Sequence, residues 1–216
     1  MESEGLGKFN LGATFVAILI ILMVLSGCAS LGKEECLNAD WRTIGYEDGT
    51  RGYSGSRIAS HRKACAKHGV TPDLDQYEEG RLLGLREYCT PRNGYRLGTM
   101  GKGYNGVCPS DLAPAFRYAM QEGYEVYALN RELKQQKREL QKAYEDLDAL
   151  KIALADKEAE LIKAHVSPRR RKQLLDELRI LEDEQEVLLA EIAEMEKALD
   201  LMQVDLARLR EQSPYK

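Results

Sequence analysis

Two seven-residue apolar series restrict the C-terminal part of this chain to paired helices. The first runs Val126, Leu133, Leu140, Leu147, Leu154, Leu161, and its partners three residues on are Leu129, Gln136, Ala143, Leu150, Lys157 and Ala164. The second runs Leu174, Leu181, Leu188, Met195, Met202, Leu209, with Leu178, Gln185, Ile192, Leu199 and Leu206 between. A repeat averaging 3.5 residues puts one apolar stripe on each helix, and that stripe is buried only against a second helix. Between the series stands Val166-Ser167-Pro168. Ser167 suits an N-cap and Pro168 the first helical position, so a new helix starts there instead of one rod continuing and dimerising. The pattern predicts an antiparallel coiled-coil hairpin over 125–212, with its turn near 165–168 and a short tail at 213–216. Layers whose numbers sum to 335 pair best, Leu147 with Leu188 and Ala143 with Ile192 among them.

The hairpin's exterior is laced with charge. Residues 125–212 hold 21 acidic and 16 basic side chains, a pattern ordinarily belonging to a solvated face. Arg169-Arg170-Arg171-Lys172 departs from it. Four cations at a helix N-terminus oppose the helix dipole, so either the end of the first arm offsets them or the tip meets an anionic partner. These four are the candidate partner-binding residues. The ending Tyr215-Lys216 resembles that of murein-linked lipoproteins, whose last lysine is joined to peptidoglycan, but two residues are a weak signal.

At the other end, Leu11 to Leu25 carries no charge. Fifteen residues fall short of the ~20 that span a bilayer and suit the apolar core of an export signal. The run closes on Leu25-Ser26-Gly27-Cys28, which resembles the lipobox of bacterial lipoproteins at all four positions. The leading segment is hardly positive, since Glu2 and Glu4 stand against Lys8. The reading is a signal over 1–27 and acylation, palmitate included, of Cys28. By the same resemblance Ala29, where an aspartate would mean inner-membrane retention, implies the outer membrane. No cofactor is expected beyond the lipid on Cys28.

Four cysteines remain: Cys36, Cys65, Cys89 and Cys108. An even number in an exported chain implies two disulfides with three possible connectivities. Cys36–Cys65 and Cys89–Cys108 are predicted, the second closing a glycine-rich loop. The rival is a metal site using His61, Cys65 and His68, which share a helical face, but no paired Cys-x-x-Cys supports it. Fourteen of 18 glycines lie between Gly32 and Gly123, so residues 28–124 read as one Gly/Tyr-rich helical domain and the hairpin as another. Within it, Asp40 can cap a helix to about Gly52, a second runs from about Ser56 to His68, and Asp73 can cap a third reaching Cys89. Arg92 to Val107 reads as a loop, and Asp111 begins the last helix. Tyr46-x-x-Gly49 and Tyr77-x-x-Gly80 form a weak internal pattern. It suggests close helix contact in preference to a pocket lined by Tyr46, Tyr77, Trp41 and Arg42.

Taken together, Ala39-Asp40-Trp41-Arg42, Ile44-Gly45-Tyr46-Glu47-Asp48-Gly49, His61-Arg62-Lys63-Ala64-Cys65, Gly84-Leu85-Arg86-Glu87-Tyr88-Cys89 and Gly106-Val107-Cys108-Pro109 resemble a family. It is the proteobacterial outer-membrane lipoprotein family catalogued as domain of unknown function 2799. The resemblance spans roughly 28 to 160. It implies an envelope location and a helical domain with cysteines, and no activity.

Composition adds exclusions. With 35 acidic and 31 basic residues the net charge is −4, which gives no case for nucleic acid. His61 and His68 are candidate bases, with Asp40, Asp48 and Glu87 as candidate partners, yet no nucleophile elbow, paired zinc motif or phosphate loop accompanies them. The fold class read from sequence is therefore all-α, a small disulfide-stapled helical domain followed by a long antiparallel hairpin. The function expected is non-enzymatic. The chain is read as a lipid-anchored, periplasm-facing outer-membrane protein projecting the hairpin as a spacer or docking arm toward an envelope protein. The alternative is peptidoglycan binding through the basic tip or the tyrosine-rich domain, with an envelope enzyme a more distant third.

Overall fold

The computed structural model describes residues 31–215. The lipobox, with Cys28, and the terminal Lys216 lie outside the described residues. Among those described there are seven α-helices and no strand. They are α1 (Lys33–Leu37), α2 (Trp41–Thr50), α3 (Ile58–Ala66), α4 (Leu74–Tyr88), α5 (Pro91–Thr99), α6 (Ala113–Leu161) and α7 (Pro168–Gln212). No described helix is long and apolar enough to cross a membrane.

The chain divides into two compact units between Tyr88 and Cys89. The sequence places that boundary at 124–125, where one uninterrupted helix, α6, runs through. Glycine content misleads here, because Gly94, Gly98 and Gly123 serve a contact made by the same helix that continues as a hairpin arm.

In the first unit α2 lies on α4 through interlocked glycines. A Cβ on Gly45 would sit 2.0 Å from the Tyr77 carbonyl oxygen, and one on Gly49 2.3 Å from that of Arg81. From the other side, a Cβ on Gly80 would sit 1.8 Å from the Arg42 oxygen and one on Gly84 2.1 Å from that of Tyr46. An α-hydrogen therefore points at each oxygen, a Cα–H···O contact worth ~0.5–1 kcal/mol. Asp40 caps α2, its carboxylate accepting from the Arg42 and Thr43 amides. Asp73 accepts from the Gln76 amide at the start of α4. Cys36–Cys65 ties α1 to α3, beside a core of Trp41, Ile58 and Tyr77.

The second unit repeats the first. Its α5 is a helix where the glycines of 92–107 suggest only a loop. Thr90 caps it, Pro91 opens it, and the loop is confined to about 100–112. Gly94-Tyr95-Arg96-Leu97-Gly98-Thr99-Met100-Gly101 matches Gly45-Tyr46-Glu47-Asp48-Gly49-Thr50-Arg51-Gly52 at five of eight positions. In α6, Phe116, Ala119, Gly123 and Tyr127 have the spacing of Tyr77, Gly80, Gly84 and Tyr88. The contacts repeat as well: a Cβ on Gly98 would sit 2.1 Å from the Met120 oxygen, and one on Gly123 2.1 Å from that of Tyr95. Gly52 (φ +73°) and Gly101 (φ +70°) each end a first helix in the left-handed region. A ring lies on each, Tyr88 on Gly52 and Tyr127 on Gly101, so no side chain fits there. In each unit a disulfide joins the segment before the first glycine helix to the segment between the two. The true internal pattern is thus α2 with α5 and α4 with α6. Tyr46-x-x-Gly49 and Tyr77-x-x-Gly80 are the two sides of one contact.

Beyond this contact α6 pairs with α7 as the expected hairpin. Leu140, Ala143 and Leu147 pack with Leu188, Ile192 and Met195, and Lys157 reaches Glu177. These groupings fit the register in which layers sum to 335. At the base, Val126 and Leu133 join Leu199, Leu206 and Tyr95, and Tyr215 packs against that cluster.

Candidate functional site

The hairpin turn occupies residues 162–167. The Ser167 hydroxyl accepts from the Arg170 amide at 3.2 Å, which starts α7 at Pro168. Of the four tip cations, Arg170 is taken up internally. Its Nε and Nη2 donate to the two Glu160 carboxylate oxygens at 2.8 and 2.9 Å, and its Nη1 donates to Glu177 at 3.1 Å. Lys157, one of the two polar interruptions in the first seam, holds the other Glu177 oxygen. Lys157, Glu177, Arg170 and Glu160 therefore clamp the two arms directly below the turn.

Electrostatics follow that geometry. The hydrogen bond from Arg170 holds the Glu160 carboxyl below its ordinary value, and that from Lys157 does the same for Glu177. The Glu160 contact in turn raises Arg170. Carboxylates near a helix N-terminus also offset the dipole conflict created by the cations. Arg169, Arg171 and Lys172 remain exposed, and none forms an ion pair among the described residues. Beside them an open pocket of about 760 Å³ is lined by Glu160, Lys163, His165, Val166, Ser167 and Arg170. The partner-binding set read from the sequence thus loses Arg170, because a guanidinium held by two carboxylates is not available to a partner. Nothing in the sequence pattern separates Arg170 from its neighbours except its spacing to Glu160 and Glu177.

A second constellation joins residues that the sequence could not bring together. One carboxylate oxygen of Asp48, in α2, accepts from the Tyr77 hydroxyl (2.8 Å) and lies within hydrogen-bond distance of His61 Nε2 (2.7 Å). Asp48 is 4% exposed, His61 7% and Tyr77 0%. Burial first, and then the bond to Asp48, pushes the Tyr77 phenol far above its usual value. The equivalent positions in the second unit hold Leu97 for Asp48 and Phe116 for Tyr77. The repeated helix pair folds around apolar groups there, so the trio is an addition peculiar to the first unit. It ties α2, α3 and α4 together.

The other candidates do not converge. Asp40 is occupied as the cap of α2, and Glu87 accepts from the Tyr46 hydroxyl at 2.7 Å. Tyr77 is enclosed while Tyr46 is 37% exposed, so the two do not line one pocket. Cys65 is bonded to Cys36, which removes it from any set with His61 and His68. Both disulfides have the predicted connectivity. No group of three His, Cys, Asp or Glu able to hold a metal occurs among the described residues.

With this geometry established, comparison with known proteins gives one result. Residues 40–125 match the family model described as protein of unknown function (DUF2799). The match takes in α2 to α5 and the first turns of α6, which together carry both interlocked helix pairs, and it stops where the hairpin arm begins. No curated protein and no solved structure matches the chain.

Proposed function

We propose that this chain is a non-enzymatic, lipid-anchored protein of the bacterial envelope, tethered to the outer membrane through Cys28, with the hairpin serving as a docking arm. The observation that carries the reading is the tip. A four-residue clamp stiffens the turn, and three cations are left exposed beyond it. A stiff element ending in uncompensated charge suits recognition of an acidic partner at a distance, because little ordering entropy is lost on docking. Two disulfides in a chain of this size support an oxidising compartment. Helices α6 and α7 hold 49 and 45 residues, and the stretch of α6 from residue 126 to its end at Leu161 extends the hairpin ~54 Å at 1.5 Å per residue.

The test has two parts. Palmitate labelling in cells should mark the wild-type chain and vanish in Cys28→Ser, which should accumulate as a longer precursor. A photo-reactive amino acid in place of Gln173, next to the tip cations, should give a discrete protein adduct that is lost in R169Q/R171Q/K172Q. Labelling of the Cys28→Ser chain, or an adduct indifferent to the three charges, contradicts the reading.

A further inference from the structure

An acidic chain carries one face from which acid is excluded. On α6 between residues 117 and 142 the outward heptad positions, those opposite the Val126/Leu133 seam, hold Arg117, Arg131, Lys134, Arg138 and Lys142 and no aspartate or glutamate. The acidic residues of this stretch, Glu122, Glu125, Glu132 and Glu139, sit at positions bordering or within the seam. All five cations are exposed, and none forms an ion pair among the described residues. Arg117, Tyr124, Arg131 and Arg138 follow one another every seven residues along ~30 Å of helix.

Aromatic rings interleave with these charges. Two open grooves meet at Tyr124. One, of about 870 Å³, is walled by Lys102, Tyr104 and Arg117, and the other, of about 260 Å³, by Tyr127, Arg131, Arg138 and one acid, Glu132. The Arg117 guanidinium lies 5.9 Å from the Tyr104 ring centre, Arg131 lies 5.9 Å from that of Tyr127, and Tyr124 and Tyr127 are 5.7 Å apart. The rings and guanidiniums are thereby held in place beside each other, as recognition of flat-faced, negatively charged units requires.

We infer that this face of α6 binds an anionic glycan strand, with a sugar ring laid on the exposed Tyr124 and carboxylates paired with Arg117, Arg131 and Arg138. The spacing favours an extended polymer over a single small anion, because the cations lie along a line and do not converge. Rings with planar cations favour a sugar–carboxylate ligand over a bare lipid surface, which needs only charge. The inference shares with the docking-arm reading only the extracytoplasmic compartment, and it involves none of the tip residues.

The full-length chain reconstituted into neutral phosphatidylcholine vesicles provides the test. The probes are fluorescently labelled soluble wall glycan bearing carboxylate stem peptides, the same glycan with those carboxylates amidated, and labelled phosphatidylglycerol vesicles. The wild-type chain should bind the carboxylate glycan, bind the amidated form about tenfold more weakly, and lose binding as salt rises. R117Q/R131Q/R138Q should weaken it at least about tenfold. Tyr124→Ala should weaken it while Tyr124→Phe keeps it. D183N/E184Q on α7 should leave it unchanged, and circular dichroism melts should show all variants folded. Equal binding by the arginine variant, no preference for the carboxylate form, or capture of the anionic vesicles in place of the glycan overturns the inference. Because the tip adduct from position 173 is read separately, failure of one proposal leaves the other standing.

Discussion

At the scale of single residues, the decisive positions are those with no room. Gly80 meets the Arg42 carbonyl so closely that a methyl group must push α2 and α4 apart. Gly80→Ala should therefore cost at least ~3 kcal/mol, the upper range for overpacking. Gly103→Ala, with nothing within 4 Å of its Cβ, should change the melting temperature little, and thermal denaturation of both variants checks the contrast. The Asp48–His61–Tyr77 trio makes a different prediction. Asp48→Leu strands two buried polar partners and should cost ~3 kcal/mol, whereas D48L/H61L/Y77F, which copies the apolar character of the second unit, should recover most of it. Denaturant melts decide this, and a triple variant no more stable than the single would show that the trio is needed for folding. Asp48, His61 and Tyr77 were each visible in the sequence as polar or aromatic helix residues. Their convergence was not, because 13 and 29 residues separate Asp48 from its partners and no periodic signal spans such gaps.

At the scale of elements, the hairpin was legible and α5 was not. Heptads and a Ser-Pro start report directly on burial and backbone geometry, and Leu140 to Leu147 packs with Leu188 to Met195 as the register requires. Cysteines placed at 147 and 188 should form a disulfide within one molecule on oxidation, and crosslinks only between molecules would instead mean an open rod. For α5, local propensity counted Gly94 and Gly98 as helix breakers at ~1 kcal/mol each. Contact with Phe116 and Met120 outweighs that cost, and a single-sequence reading has no access to the partner helix. The tip clamp is an element with a pH signature. Glu160 and Glu177 have lowered values in the folded chain, so their stabilisation is present above the ordinary carboxylate value and is lost as pH falls through the folded ones. The protection factors of amides over 160–178 should thus fall below about pH 4 while the seam near Leu147 keeps its protection. Opening Cys89–Cys108, whose partners are 19 residues apart, should cost ~3 kcal/mol in the chain-entropy model.

At the scale of the molecule, the structure is two copies of one device, a pair of glycine-locked helices stapled by a disulfide, the second copy extended by a hairpin. That four cysteines form two disulfides follows from compartment logic and the all-α class from periodicity, whereas the pairing rests on closing the glycine-rich loop. The two matches of the duplication lie at different offsets, 45–52 with 94–101 and 77–88 with 116–127, so no single repeat length reveals it. The docking-arm account makes reach its essential property. Deleting residues 140–153 together with 182–195 removes two heptads from each arm, preserves the register, the base and the clamp, and brings the tip ~21 Å closer to the base. The measurement is the tip adduct formed in cells from the photo-reactive position 173, compared between the full and the shortened hairpin at equal expression. The account predicts that the adduct is lost or replaced by another in the shortened chain; an unchanged adduct would contradict it.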